Sequence, residues 1–336
     1  MSSPLKVFEN AEYKNQTHIT EFILLGFGDH QVLQVLLFIL FLLIYAVTMG
    51  GNILIILLVA MDQHLHTPMY FFLVNLSCLE ICGSSNILPR MLSSFLMERK
   101  TISISACFVQ NVIFGSTGAV ECYVLSVMSY DRFLAICKPL HYVNKMNGKL
   151  GLQLIAISWL SGFLLSGVTV ISISMLEFCV RNEIDHYFCD TFPIIELSCN
   201  DTHIFKLFLY VLCSIITFPP FTLTLTSYTY IIVAIMKIPS TTGKRKAFST
   251  CSSHLLVVSM FYGTLITIYV IPSSSRLRGL HKVLSVFYTI LTPMLNPIIY
   301  SLRNKEVKDA LKRLTLSLLA QIQNKMRYRD SDFSLS

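Results

Sequence analysis

The sequence is poor in charged residues. Of its 336 residues only 13% are Asp, Glu, Lys or Arg, whereas 54% are apolar and the mean hydropathy is +0.63. Soluble globular domains carry about 25% charged residues, so these charges are too few to cover a water-exposed surface of this size. The shortage argues against a cytosolic enzyme, a nucleic-acid-binding domain and a disordered protein.

Several motifs that would indicate other functions are also missing. No CxxC pair is present, which argues against a zinc or redox motif, and no HExxH motif indicates an intramembrane enzyme. The sequence has no internal repeat, whereas a transporter is expected to show two paired halves. A transporter is therefore the less favoured alternative. Residues 1–31 lack an apolar signal-peptide core, so we expect the first apolar span to serve as its own targeting signal.

The apolar residues fall into seven blocks, each long enough to cross a hydrocarbon core about 30 Å thick as a tilted helix. The pattern does not alternate as it does in a membrane barrel. We therefore predict an all-α membrane protein, a bundle of seven transmembrane helices. Four blocks carry no charge, and three contain a single Glu or His each: 32–60, 150–176, 207–236 and 283–302, then 67–89 with Glu80, 101–130 with Glu121 and 247–271 with His254.

The distribution of basic residues orients the bundle. With the N-terminus outside, 16 of the 26 Lys and Arg residues lie on the cytosolic side, as the positive-inside rule requires. A basic inner face is expected of any such protein, and no nucleic-acid partner follows from it. We predict an extracellular tail over 1–31, a seven-helix domain over 32–302 and a cytosolic tail over 303–336. The sequon Asn15-Gln16-Thr17 in the outer tail predicts N-glycosylation at Asn15.

Four of the ten cysteines face the oxidising outer side, where disulfides persist. Four cysteines allow three pairings, and the sequence alone does not choose among them. The even ten-residue spacing of Cys179, Cys189 and Cys199 favours a Cys179–Cys199 bond, which leaves Cys189 for Cys107.

Several motifs in a fixed order resemble those of olfactory receptors, which are rhodopsin-like G-protein-coupled receptors. They are LHTPMYFF at 65–72, MSYDRFLAIC at 128–137 with KPLHY after it, KAFSTCSSHL at 246–255, FYGT at 261–264 and PMLNPIIYSLRN at 293–304. The first resembles the terrestrial-type class of these receptors. The resemblance covers about residues 21–311. It implies a receptor that binds a small volatile odorant, activates a stimulatory olfactory-type G protein and raises cyclic AMP.

The resemblance assigns an activation switch to the inner half of the bundle. Asp131 would hold Arg132 at rest, and activation would free Arg132 to meet the G protein. The alternative is that Arg132 only anchors the helix at the membrane surface. His254 is expected to hydrogen-bond inside the bundle, as a latch between the sixth and third spans. The remaining residues of the switch are Tyr228 and Tyr300, as active-state partners of Arg132, and Asn296 with Pro297, as a kink and hinge.

Glu80 and Glu121 are the only carboxylates inside the predicted spans. An isolated ionised carboxylate in this setting costs several kcal/mol. Two interpretations stay open: both side chains are protonated and hydrogen-bonded, or they form a sodium site with Asn52 and Asn296. No other cofactor is expected.

In the resembling family the odorant site lies in the outer half of the third, fifth, sixth and seventh spans. Small residues in the third span leave room for a ligand, and hydroxyl groups would suit an alcohol, aldehyde, ketone or ester. Some of these residues would instead serve ordinary packing. Motif spacing assigns to the site Phe114, Gly115, Gly118, Ala119, Leu209, Leu212, Ile216, Tyr262, Leu265, Ile266, Tyr269, Val286 and Thr289.

The cytosolic tail contains an amphipathic pattern over residues 304–322. It predicts a short helix that lies in the membrane interface, in contact with lipid. We therefore expect a multi-pass plasma-membrane protein, located in olfactory cilia if its ligands are smelled. The same receptor fold serving as a chemosensor outside the nose remains an alternative, because sequence does not report tissue. The apolar positions are Val307, Leu311, Leu314, Leu318 and Ile322.

Overall fold

A computed structural model describes residues 19–28, 30–97, 100–179, 181–271 and 278–333. Asn15, the predicted glycosylation site, lies outside the described residues. The helices are α1 Gln31–Met61, α2 Pro68–Leu96, α3 Ile104–Cys137, α4 Pro139–Lys145, α5 Gly148–Ser174, α6 Thr191–Ile195, α7 His203–Met236, α8 Thr241–Tyr269, α9 Arg278–Val286, α10 Thr292–Arg303 and α11 Lys305–Phe333. A π-helical segment, Phe287–Leu291, joins α9 to α10.

Seven apolar helical spans confirm the predicted membrane bundle. By length and composition, six described helices can cross a membrane: α1, α2, α3, α5, α7 and the continuous span Gly279–Ser301. The seventh span is the shorter apolar part of α8, His254–Tyr269. α3 lies at the centre of the bundle, where it packs against α2, α5 and α7.

Local sequence signals set several helix ends. The side chain of Ser103 caps α3 by accepting from the Ala106 amide at 3.3 Å, and Asn147 caps α5 by accepting from Leu150 at 2.9 Å. Pro68 stands in the first turn of α2, where a missing amide hydrogen costs no helical bond. Gly162 lets α5 approach α3 closely, since a Cβ there would stand 2.9 Å from the Ser116 backbone oxygen.

A small sheet on the outer face was not predicted from the sequence. Its strands are β1 Glu21–Leu24, β2 Thr101–Ser103 and β3 Glu183–Ile184, in the order β2-β1-β3. β1 pairs antiparallel with β2, opposing Phe22 to Ile102, and parallel with β3, opposing Leu24 to Ile184. Part of the N-terminal tail therefore forms the central strand over the bundle, and Phe22 is fully buried there.

The C-terminal helix is longer than its amphipathic pattern predicted. α11 has 29 residues and ends at Phe333, whereas the pattern ended at residue 322. Val307 and Ala310 are buried against the inner end of the bundle. The Arg313 guanidinium contacts Asp62 at 2.6 and 2.9 Å and holds the pKa of that carboxyl at about 2, below its usual range.

Candidate functional site: the outer cavity and its polar roof

An apolar cavity of about 110 Å³ lies in the outer half of the bundle, between α3, α5, α7 and α8. An apolar cavity of about 150 Å³ holds a benzene-sized molecule, so this smaller one suits a volatile compound of at most about that size. Nine of the thirteen residues predicted for the ligand site line it: Phe114, Gly115, Gly118, Ala119, Leu209, Leu212, Ile216, Leu265 and Tyr269.

The other four predicted residues lie away from this cavity. The Tyr262 hydroxyl donates to the Cys122 carbonyl at 2.7 Å, and Ile266 packs against the main core. Val286 packs in a cluster between α1, α2 and α10. The Thr289 hydroxyl donates to the Ser285 carbonyl at 2.7 Å and lines a smaller cavity below. Each side chain contributes to packing rather than to the wall of the outer cavity.

Sequence reasoning missed the fourth membrane span as a wall. Leu165, Ser166 and Thr169 of α5 line the cavity because Gly162 brings α5 close to α3. It also missed Tyr288, since the π-helical turn changes which side chains of the seventh span face inward. Asn111 lies one turn before Phe114 and could have been found by helical spacing. The remaining missed residues are Cys122, Thr191, Phe192, Cys213 and Thr217.

A chain of hydrogen bonds forms part of the cavity roof. The Tyr269 hydroxyl donates to Asp190 Oδ1 at 2.9 Å, and its oxygen lies 2.5 Å from the Tyr288 hydroxyl. The Thr191 amide donates to the same Asp190 oxygen at 2.7 Å. Burial raises the pKa of Asp190 to about 6, although these two hydrogen bonds oppose the shift. Asp190 is therefore mostly ionised at neutral pH.

The loop that carries Asp190 is held in place by disulfides. The bonds join Cys107 to Cys189 and Cys179 to Cys199, the same pairs that the sequence favours. Asn111 Nδ2 donates to the Cys189 carbonyl at 3.0 Å, which fixes the loop on α3.

A polar vestibule of about 880 Å³ lies outside the roof. Phe192 lines both the vestibule and the inner cavity, and its ring stacks on Tyr210 with centroids 4.9 Å apart. His186 borders the vestibule but is buried, and burial lowers the pKa of its imidazole to about 3. The roof thus separates a charged outer space from an apolar inner one.

The two intramembrane carboxylates line one small cavity of about 30 Å³, below the ligand-sized one. Asn296 Nδ2 donates to Glu80 Oε1. In the described part of the chain, buried oxygens of Glu121, Asn296 and Ser84 have no hydrogen-bond partner. Carboxylate and amide oxygens are the ligand types that a hard cation such as sodium takes. Asn52 is directed elsewhere, since its amide donates to the carbonyls of Thr48 and Pro293.

At the inner end, Asp131 is held by Tyr142 of α4, whose hydroxyl donates to it at 3.0 Å. Within the described residues no ion pair joins Asp131 to Arg132, contrary to the resting pair expected from the sequence. His254 is hydrogen-bonded as expected, but to Tyr228 of the fifth span, 2.5 Å away, rather than to the third span.

The other switch residues lie nearby on the seventh span. The Tyr300 ring lies 6.5 Å from that of His254, and the Tyr300 hydroxyl has no hydrogen-bond partner among the described residues. Pro297 stands inside α10, and it faces Gly51 so closely that a Cβ on Gly51 would lie 2.9 Å from the proline ring. The proline is therefore packed against α1 at the predicted kink.

Comparison with known proteins agrees with this architecture. A sequence profile described as "Olfactory receptor" matches residues 41–318. Olfactory receptor 1M1 of Mus musculus is 46% identical over 90% of this chain and 97% of its own length. Olfactory receptor 11H6 of Homo sapiens is 49% identical over 88% and 90%, and Olfactory receptor 5G3 of Homo sapiens is 47% identical over 90% and 96%. Because these matches run through all seven spans and the cavity between them, the chain belongs to the olfactory receptor family.

Proposed function

We propose that the receptor binds small volatile molecules in the outer cavity and activates a stimulatory olfactory-type G protein, which raises cyclic AMP. Members of this family are multi-pass plasma-membrane receptors and not enzymes. The observation that carries the proposal is the apolar, ligand-sized cavity beneath a disulfide-anchored loop. Olfactory cilia are the expected location.

Activation requires that the ligand bind one arrangement of the helices more tightly than the other. Leu265 and Tyr269 line the cavity near the outer end of α8, and His254 lies near the middle of the same helix, at the inner end of its apolar part. A ligand that shifts α8 therefore strains the His254–Tyr228 hydrogen bond at the cytosolic side. Opening of that contact exposes Arg132 to the G protein.

Tyr142 has a positioning role in this switch. Its hydroxyl donates a hydrogen bond to the Asp131 carboxylate, and a carboxylate that already accepts a hydrogen bond attracts Arg132 less strongly. Arg132 is then available to the inner ends of the fifth and seventh spans, where Tyr228 and Tyr300 lie.

The carboxylate pair is the second part of the proposal. Glu80, Glu121 and Asn296 would hold a sodium ion that favours the resting arrangement. Glu121→Gln removes one charge at nearly constant volume and should abolish the sodium sensitivity of basal activity. Unchanged sodium sensitivity would favour the other interpretation, two protonated carboxyl groups.

The test of the function is a cyclic-AMP reporter screen over a broad odorant panel, with surface expression measured for every variant. Arg132→Ala should abolish the response without preventing expression. Gly118→Leu should abolish it by filling the cavity, since a Cβ on Gly118 meets no atom within 4 Å. Gly50→Leu is the matched control, because Gly50 is equally unobstructed but is exposed on α1. An intact response in Arg132→Ala would refute the switch, and one in Gly118→Leu would refute the cavity.

A further inference from the structure

The hydrogen bonds of the cavity roof have a fixed direction. The single hydroxyl proton of Tyr269 is donated to the Asp190 carboxylate, which only accepts when ionised. The 2.5 Å contact between Tyr269 and Tyr288 therefore takes its proton from Tyr288. The Tyr288 oxygen is left with lone pairs alone, so this cavity-lining side chain can accept a hydrogen bond but has no proton free to donate.

Other polar groups of the wall have also committed their protons. The Ser166 hydroxyl donates to the Val112 carbonyl at 3.0 Å, and the Thr169 hydroxyl donates to the Leu165 carbonyl at 3.0 Å. Asn111 donates its amide hydrogens to the Cys189 carbonyl and to the Thr191 hydroxyl oxygen. The oxygens of these groups can still accept a hydrogen bond from a ligand, but their protons are already donated within the protein.

We infer that the cavity selects ligands that carry a hydrogen-bond donor, such as volatile alcohols, over carbonyl compounds and ethers of the same shape. The inference deepens the proposed function and rests on it. An alcohol can donate to Tyr288, whereas a buried carbonyl or ether oxygen leaves water and finds few donors. Asp190 acts as the positioning residue, because it orients Tyr269 and through it Tyr288.

Thr217 is the one lining hydroxyl that could weaken this selection. It is buried in α7, and its side chain makes no hydrogen bond to any of the residues that the structure describes. If its proton points into the cavity, it would serve a carbonyl ligand. Thr217→Val separates its contribution from that of Tyr288, since it keeps the side-chain shape and removes the hydroxyl.

The probes are matched sets of a primary alcohol, its methyl ether and its aldehyde, each with chains of about three to five carbons to suit the cavity volume. They are applied to cells that express the receptor with a cyclic-AMP reporter. We expect alcohols to be at least about tenfold more potent than their partners, a ratio that one unpaired buried oxygen produces.

Two variants test the direction of the hydrogen bonds in the roof. In Asp190→Asn the amide can donate to Tyr269, which frees the Tyr288 proton to point inward, so the alcohol preference should fall below about threefold. In Tyr288→Phe the alcohols should lose potency while the ethers keep theirs. A general folding defect would lower all three compound classes together. Tyr288→Phe keeps the test valid if Asp190→Asn is not expressed.

The outcomes separate the two levels of the proposal. Ethers and aldehydes as potent as their alcohols would overturn the inference and leave the odorant-receptor function intact. An alcohol preference that survives both roof variants but disappears in Thr217→Val would also overturn it. The preference would then come from Thr217 and not from the hydrogen bonds of the roof. No response to any class, with surface expression present, would refute the proposed function itself.

Discussion

The close approach of α5 to α3 can be tested with a single methyl group. Gly162 faces α3, and a Cβ built on it would lie 2.6 Å from Val120 Cγ2 and 2.9 Å from the Ser116 backbone oxygen. A side-chain methyl can rotate away, but the backbone oxygen belongs to the central helix and cannot. In Gly162→Ala one of the two helices must therefore shift by a few tenths of an ångström.

The expected magnitude follows from two opposing effects. Overpacking a tight contact costs about 1–3 kcal/mol. Alanine is favoured over glycine in a helix by about 1 kcal/mol, which offsets part of this cost. Gly167→Ala on the same helix isolates the second effect, since a Cβ there meets no atom within 4 Å. Gly162→Ala should thus be less stable than Gly167→Ala by about 1–3 kcal/mol.

The assay is thermal unfolding of detergent-purified receptor, followed by the potency of any agonist that the screen finds. Gly167→Ala should unfold at or above the wild-type temperature and Gly162→Ala below that of Gly167→Ala. Agonist potency should change in Gly162→Ala, because Leu165, Ser166 and Thr169 on α5 would move with the helix. Equal stability of the two variants would refute the close α3–α5 contact.

Three further predictions concern the Asp190 carboxylate, the Arg313–Asp62 ion pair and the disulfides. Lowering the external pH from 7.4 to 5 should reduce the alcohol preference with a midpoint near 6, because protonated Asp190 no longer fixes the donor direction; the same pH series on Asp190→Asn should be flat. Buried His186 stays neutral throughout this range. Arg313→Gln should cost less than about 1 kcal/mol in thermal unfolding at pH 7, because the pair with Asp62 is partly exposed; a larger loss would mean that α11 depends on this pair. Cys107→Ser should lower thermal stability by about 1 kcal/mol more than opening the loop bond at Cys179, because it releases a loop of 82 rather than 20 residues; the reverse order would contradict the chain-entropy argument. The other titratable groups that interact electrostatically with Asp190 cannot cause a pH effect near 6, because phenols and thiols do not ordinarily titrate between pH 5 and 7.4. These groups are Tyr187, Tyr269, Tyr288 and Cys213.

The depressed pKa of Asp62 sets the sign of its contribution to stability. Its value in the folded protein, about 2, lies below the ordinary 3.8, so the pair with Arg313 stabilises the fold above about pH 4. That contribution declines as the pH falls below about 4 and is lost once the pH has fallen through about 2. The pH effect on ligand choice near 6 therefore has a different origin from this inner-face pair.

The seven spans could be predicted from the sequence because membrane helices obey a simple length and polarity rule. Positions on ideal helices were also predictable, and Gly115, Gly118 and Leu209 reach the cavity as motif spacing indicated. The rule fails where a helix is irregular. Inside the π-helical turn Tyr288 lines the cavity in place of Thr289, and no sequence signal marked that change.

Contacts between distant segments were harder to predict. β1 is only four residues long, and its pairing with β2 and β3 depends on chain segments about 80 and 160 residues away. Such short strands have no periodic signal strong enough to separate them from loop. The Tyr142 contact to Asp131 was missed for a related reason, since a loop helix returns the tyrosine to α3.

The scarcity of charge that identifies the bundle also explains where its chemistry can lie. Inside the spans Glu80 and Glu121 stand together in a small cavity, and at the roof Asp190 accepts a hydrogen bond from Tyr269 of the ligand site. A single carboxylate can order a whole chain of neutral hydroxyls because each phenol has one proton to give. Asp190 is held in that position by the adjacent Cys189, which is bonded to Cys107 and hydrogen-bonded to Asn111. The preference for ligand donors is therefore a property of the loop as much as of the helices, and grafting the loop of a relative should change it while the helical walls stay the same.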